Sequence, residues 1–197
     1  MNGRYSFRAA MTGDQLKTLR IGVVFLVLTL TITRILQIDK IFIDLYTADY
    51  FFGRAVNGIF LTFGYSLLIY GIYRRQDRRD FKTVVVSCVS GLVIVQLLKW
   101  VTGHEFPRPS TAYGGFPSGH AQASFALAYM IGRRYPKLTI PAYAMAGIIT
   151  WSRVPYQHYF YQIAAGGIFG LAIPVLVERW NEGRSSGSPQ AHAKEAL

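Results

Sequence analysis

The segment Pro117-Ser118-Gly119-His120 is the part of this chain best suited to chemistry. It stands at the start of an apolar stretch that is predicted to be helical. Ser118 can cap such a helix, and the first backbone N–H groups of a helix, at the positive end of its dipole, bind anions. Gly119 lets an oxygen approach the main chain, and the imidazole of His120 moves protons near neutral pH. The segment therefore predicts an anion site beside a proton carrier.

Two further clusters contain the cations and the second imidazole that phosphoryl transfer requires. Lys99 and Arg108 belong to one predicted outer segment, and Arg153 and His158 to the next. Cations stabilise the equatorial oxygens of a transferring phosphoryl group, and one histidine can attack phosphorus while another protonates the leaving oxygen. A lysine supplies a point charge, whereas arginines supply forked donors. Gln162, four residues after His158, can accept a hydrogen bond from that imidazole but has no charge.

These residues also have plainer interpretations. Lys99 could extend its charge to the membrane surface from the end of a span, and Arg108-Pro109 could be ordinary loop. Arg153 and His158 could be interfacial residues without a chemical role. His104 is either a loop residue or a substrate contact. The convergence of histidines and cations on one predicted face favours a site, and other outer segments offer further carboxylates, at Asp44, Asp49 and Glu105.

The composition indicates a membrane protein, because the chain is 51% hydrophobic and its apolar residues form long runs. We predict an all-α fold, a six-span transmembrane helical bundle, and a single integral-membrane domain over residues 1–182. Residues 183–197 are predicted to be a disordered cytoplasmic tail, and residues 40–53 to lie at the membrane interface. The first apolar run lacks a cleavage site and is interpreted as a retained span. The predicted spans are 18–38, 55–73, 81–101, 118–133, 138–154 and 160–178.

The net charge of +11 could indicate a nucleic-acid partner, but its distribution argues against one. If the N-terminus is inside, 15 of the 21 Lys and Arg residues lie in inner segments. This bias predicts cytoplasmic termini and places the histidine clusters on the outer, periplasmic face. Cys88 is the only cysteine, and neither the acidic residues nor the histidines have metal-ligand spacing, so we expect no disulfide, metal or cofactor.

The three clusters resemble the signature of the type 2 phosphatidic acid phosphatase superfamily, which includes integral-membrane phosphatases and vanadate haloperoxidases. The family pattern is Lys, six residues and Arg-Pro; then Pro-Ser-Gly-His; then Ser-Arg, five residues, His, three residues and Asp. Here eight residues separate Lys99 from Arg108, and four separate Arg153 from His158. Changes in loop length cost little. Gln162 stands where the family has Asp, and this departure bears on the chemistry.

The resemblance implies a phosphatidic acid phosphatase type 2 / haloperoxidase-like core and a metal-independent hydrolase acting on a phosphorylated lipid of the inner membrane. It makes His158 the nucleophile and His120 the general acid. It assigns phosphate binding to Lys99, Arg108, Ser118, Gly119 and Arg153.

Substrates of this family in bacteria include phosphatidylglycerophosphate, undecaprenyl diphosphate, phosphatidate and lipid A phosphates. A lipid phosphotransferase using the same phosphohistidine is an alternative function. Gln162 motivates another, a non-catalytic binder of lipid phosphates. The sequence indicates no partner other than the lipid and leaves the oligomeric state open.

Overall fold

The computed structural model describes residues 11–35, 49–103, 114–153 and 158–186. Within these ranges the chain is helical and has no strand, which confirms the all-α prediction. A π-helix, Asp49–Val56, leads directly into the second α-helix, and a short 3-10 helix, Pro136–Leu138, connects the fourth to the fifth. The α-helices are α1 (Gly13–Ile35), α2 (Asn57–Arg75), α3 (Arg78–Thr102), α4 (Gly119–Arg134), α5 (Thr139–Ser152) and α6 (Phe160–Ser186).

Four of these helices, α1, α2, α3 and α6, are long and apolar enough to cross a membrane. The other two, α4 and α5, occupy the positions of the predicted fourth and fifth spans but have only 16 and 14 residues. At a rise of about 1.5 Å per residue they measure roughly 24 and 21 Å, less than the ~30 Å of a hydrocarbon core. The prediction of six spans is thus confirmed in part: four helices meet the length and hydropathy of a span, and for α4 and α5 it stays a prediction.

The end of α6 also differs from the prediction, because the helix continues to Ser186 instead of stopping near residue 178. The reason is tertiary: the Asn181 amide donates to the Thr83 hydroxyl at 2.9 Å, and the Gln15 amide donates to Glu182 at 2.9 Å. These contacts hold the polar last turns of α6 against α1 and α3. Residues 183–186 are therefore helical, while the rest of the predicted tail lies outside the described residues.

The centre of the bundle is α4, which packs against all five other α-helices. Eleven of its residues are buried, from Ala121 to Gly132. Small residues on its neighbours permit the close approach of the helices. A Cβ atom added at Gly64 of α2 or Gly91 of α3 would overlap Leu127 or Gln122 of α4. Gly58 is an exception, since nothing lies within 4 Å of a Cβ atom built there.

The closest approach joins α4 to α6. Gly166 and Gly170 stand one turn apart on α6, and a Cβ atom at either would overlap the backbone of α4, at the carbonyl oxygens of Ser118 and Gln122 respectively. Such spacing of small residues brings helix backbones into contact. Because Ser118 precedes the first residue of α4 and Gly166 lies in the second turn of α6, the two helices start at the same end of the bundle.

The opposite end of the bundle is held by charged residues. Glu178 of α6 accepts hydrogen bonds from the Arg133 guanidinium, at 2.7 and 3.0 Å, and from the Tyr129 hydroxyl, at 2.7 Å. Arg134 pairs with Asp80, beside the residue that caps α3. These partly buried, charge-assisted bonds fix the relative height of α3, α4 and α6. They thereby help to set the positions of the helix starts at the other end.

Candidate active site

The candidate site begins with the start of α4. Ser118, which is fully buried, caps this helix by accepting a hydrogen bond from the Ala121 N–H at 3.5 Å. Its own N–H donates to the carbonyl oxygen of Gln162 at 3.0 Å. The predicted cap is therefore present, and the Pro-Ser-Gly-His segment is joined directly to the start of α6. His120, in the first turn of α4, is partly exposed at this end of the bundle.

The side chain of Gln162 organises the start of α6. Its Oε1 accepts a hydrogen bond from the Tyr159 N–H at 3.1 Å and lies 3.0 Å from Nδ1 of His158. Its Nε2 points to the Tyr161 hydroxyl at 3.5 Å. Gln162 is completely buried, and His158 is 3% exposed. The residue that departs from the family pattern therefore occupies a tightly defined position against the predicted nucleophile.

These contacts decide which nitrogen of His158 has the proton. A backbone N–H can only donate, so the atom of Gln162 that faces Tyr159 must be the carbonyl oxygen. The same oxygen faces Nδ1 of His158, which must then donate its own proton. In the neutral imidazole with its proton on Nδ1, the electron pair of the ring is on Nε2. Such a tautomer is the one required if Nε2 is to attack phosphorus.

Two cations from different elements act on both imidazoles. Lys99 lies in the last turn of α3, where the side chain passes Gly114, and Arg153 caps the end of α5 and is 1% exposed. Burial above all, together with the charges of Arg153 and Lys99, lowers the pKa of His158 to about 4, although hydrogen bonds to Gln162 and to the Gly115 backbone act in the opposite direction. Burial, then Arg153, His158 and Lys99, lowers the pKa of His120 to about 3. Both rings are therefore neutral at pH 7 before an anion binds.

The structure thus brings together six of the predicted site residues, Lys99, Ser118, His120, Arg153, His158 and Gln162. Gly119 lies between Ser118 and His120 as the first residue of α4, and nothing but Val95, at 3.7 Å, approaches a Cβ atom placed there. Arg108 and His104 lie outside the described residues, as do Asp44 and Glu105. Asp49 starts the π-helix. The described residues contain no group of three His, Cys, Asp or Glu side chains placed to hold a metal ion.

Two contributors were not singled out in the sequence. Arg54, on the π-helix, is close enough to add its charge to the surroundings of His120. Tyr161, beside the Gln162 amide, also stacks on Phe116 with ring centroids 6.0 Å apart, which joins the segment before α4 to the start of α6. In the sequence, Arg54 is one of the six Lys and Arg residues outside the predicted inner segments. Arg54 lies in the last turn of the π-helix, just before α2. A cation at the predicted outer end of a span was the signal that could have identified it.

The fold and this end of the bundle define a class of protein: an all-helical, apolar bundle with two imidazoles and several cations gathered where α3, α4, α5 and α6 meet. The PAP2 superfamily model matches residues 80–185, more than half of the chain, and this protein belongs to the PAP2 superfamily. Members of the superfamily are generally phosphatases that act on phosphate esters, commonly those of lipids. No match was found among curated proteins or among solved structures.

Proposed function

We propose that this protein is a membrane lipid phosphatase that hydrolyses a phosphomonoester or diphosphate through a phosphohistidine on His158. The observation that supports this best is the Gln162 side chain, whose oxygen accepts from the Tyr159 N–H and faces Nδ1 of His158, which favours the tautomer in which Nε2 can attack. The long apolar helices suit a lipid substrate, because its chain can stay in the bilayer while the headgroup enters the site.

In the first step, Nε2 of His158 attacks phosphorus and the bond between phosphorus and the lipid oxygen breaks. Lys99, Arg153 and Arg108 would stabilise the equatorial oxygens, together with N–H groups at the start of α4. The leaving oxygen takes a proton from His120. The negative charge of bound phosphate raises the pKa of His120 from its low value in the free protein, so the ring can be protonated in the complex.

In the second step, a water molecule attacks phosphorus and the phosphorus–nitrogen bond breaks. His120, now neutral, accepts a proton from this water. Inorganic phosphate leaves, and His158 returns to its starting tautomer. Gln162 can orient the ring throughout, but it stabilises the cationic phosphohistidine less than a carboxylate would because it has no charge. We expect a slower enzyme than one with Asp at this position.

The metal-independence of this mechanism is part of the proposal, since lysine and arginine charges would take the place of a divalent cation. We further propose that the site faces the outer side of the inner membrane and that both termini are cytoplasmic, on the basis of the bias in Lys and Arg. Phosphatidylglycerophosphate, undecaprenyl diphosphate, phosphatidate and lipid A phosphates are the candidate substrates.

The test is phosphate release by the purified protein in detergent, with and without EDTA, from this panel of lipids. His158→Ala should abolish release, whereas the wild-type protein should give an acid-labile, base-stable phosphoprotein. Phosphate transfer that needs an added lipid acceptor would indicate the phosphotransferase. Vanadate binding without any turnover by wild type would indicate the non-catalytic binder, and activity that EDTA removes and magnesium restores would contradict the metal-free mechanism.

A further inference from the structure

An apolar groove runs along one side of α2, between this helix and the pair α4 and α5. Its volume is about 300 Å³. The residues of α2 that line it recur at helical spacing, so the groove follows a single face of the helix. The opposite wall comes from Ile131 of α4 and Met145 of α5. The lining on the α2 side consists of Val56, Ile59, Phe60, Phe63, Gly64 and Leu67.

The groove has a defined depth. Val56 and Leu67 are eleven residues apart, which corresponds to about 17 Å at ~1.5 Å per residue. At the inner end, the Tyr135 hydroxyl donates to the carbonyl oxygen of Leu67 at 3.1 Å and joins α2 to the end of α4. A ~30 Å hydrocarbon core gives each leaflet roughly half of that thickness. The groove is therefore about as deep as one leaflet.

The shape of the groove depends on Gly64. A Cβ atom there would lie 2.6 Å from Leu127 of α4, so the glycine lets α2 and α4 meet and form the floor. Ile59 and Phe63, which are 58% and 70% exposed, form the outward rim of the groove. The π-helix packs against α5 and so forms the wall at the end of the groove that lies towards the imidazoles.

The outer end of the groove leads to the candidate active site. Val56 is the last residue of the π-helix, and the exposed Arg54 precedes it by two residues. Arg54 adds its charge to the surroundings of His120. The groove is thus apolar and about one leaflet deep, and Arg54 and the two imidazoles lie at its outer end. It is complementary to a molecule with an anionic headgroup and an aliphatic tail.

We propose that this groove holds the acyl or prenyl chain of the lipid substrate while Arg54 directs the anionic headgroup towards His120. The inference rests on the proposed function and assigns the chain-binding part of the same site. The groove acts by orientation, because a lipid tail gains little by leaving other lipid tails for an apolar protein surface. A chain held in the groove fixes the phosphorus near His158, which favours attack.

Met145→Trp is the direct test, since a larger side chain would occupy the groove. For a phosphatidate with long acyl chains, we expect kcat/KM to fall about fivefold or more, in line with a loss of orientation. For a water-soluble phosphate ester without a chain, it should stay within about twofold of wild type. Leu92→Trp on α3, where the side chain is 68% exposed away from the groove, is the matched control and should change neither. Ile59→Trp at the rim replaces Met145→Trp if that variant fails to fold.

An equal fall in kcat/KM on both substrates, or no fall on either, would overturn the groove assignment. Hydrolysis of both substrates by wild type would still support the proposed phosphatase. If wild type hydrolyses neither of these two substrates nor any other lipid of the panel, the proposed function fails, and the groove is then tested by crosslinking. A phosphatidate with a photoreactive group in its acyl chain should label Phe60, Phe63 and Met145 more than a phosphatidylcholine with the same chain. Labelling that does not differ between the two lipids would reject the inference.

Discussion

Oε1 of Gln162 lies 3.0 Å from Nδ1 of His158 and also accepts the Tyr159 N–H at 3.1 Å. The backbone oxygen of the same glutamine accepts the Ser118 N–H at 3.0 Å. One residue thus sets the tautomer of an imidazole at the start of α6 and anchors the cap of α4. A substitution of the side chain should disturb the first role and preserve the second.

Gln162→Leu should lower kcat about 10- to 100-fold, because leucine cannot accept a hydrogen bond from His158. Residues that orient a functional histidine typically contribute a factor of this size. Gln162→Glu, which keeps the shape and adds a charge, should keep or raise kcat, since a carboxylate stabilises the cationic phosphohistidine. Both are measured as phosphate release from a lipid substrate. Equal activity of the leucine variant and wild type would mean that Gln162 does not orient His158.

The pH dependence of kcat/KM should report the unusual environment of His158. This ring must be neutral to attack, and burial with nearby Arg153 and Lys99 lowers its pKa to about 4. Protonation therefore removes the nucleophile only as the pH falls through about 4, well below the ordinary histidine value of about 6.5. Lys99→Met removes one cation and should move this acid limb to higher pH. A wild-type acid limb at pH 6 to 7 would contradict the prediction.

Gly166→Ala should damage the site from a distance. The added methyl group would overlap the Ser118 carbonyl oxygen, so α4 and α6 must separate and the histidines with them. We expect at least a tenfold loss of kcat/KM, since small displacements of reacting groups are costly, and a lower melting temperature in detergent. Gly58→Ala is the matched control, because nothing lies within 4 Å of the new atom and alanine favours a helix by up to about 1 kcal/mol.

Glu178→Gln should lower stability without altering the chemistry. Glu178 accepts from Arg133 and Tyr129 at the end of the bundle opposite the histidines. Loss of its charge weakens partly buried bonds that typically contribute about 1.5–3 kcal/mol each when charged, so the melting temperature should fall. KM should stay near the wild-type value in protein that remains folded. A changed KM with an unchanged melting temperature would show that this cluster serves the site instead.

The orientation of the protein in the membrane can be checked with two exposed positions, one at each end of the bundle. Thr102 follows Lys99 at the histidine end, and Gln76 follows α2 at the other. With Cys88 replaced by Ser, a cysteine at 102 should react with an impermeant maleimide applied to the outside of intact spheroplasts. A cysteine at 76 should react only after the membrane is opened. The reverse result would place the site on the cytoplasmic face and contradict the Lys and Arg bias.

The sequence by itself determined the class of fold and the types of residue in the site. Long apolar runs predict helices from local composition, and the Pro-Ser-Gly-His segment predicts a cap, an anion site and an imidazole from residues next to one another. The family motifs also placed His158, Arg153 and Lys99 in one group, although their spacing departs from the pattern. Arg108 and His104 stay predictions, since they lie outside the described residues.

Only the tertiary structure decided how Gln162 is used. Sequence spacing put it within reach of His158, but the direction of its amide follows from the Tyr159 N–H, and its backbone bond to Ser118 joins segments 44 residues apart. The length of α6, the involvement of Arg54 and the groove beside α2 have the same origin. Each depends on contacts between helices that are distant in sequence. Local helix propensity does not distinguish between the possible arrangements of these helices, whereas close packing does.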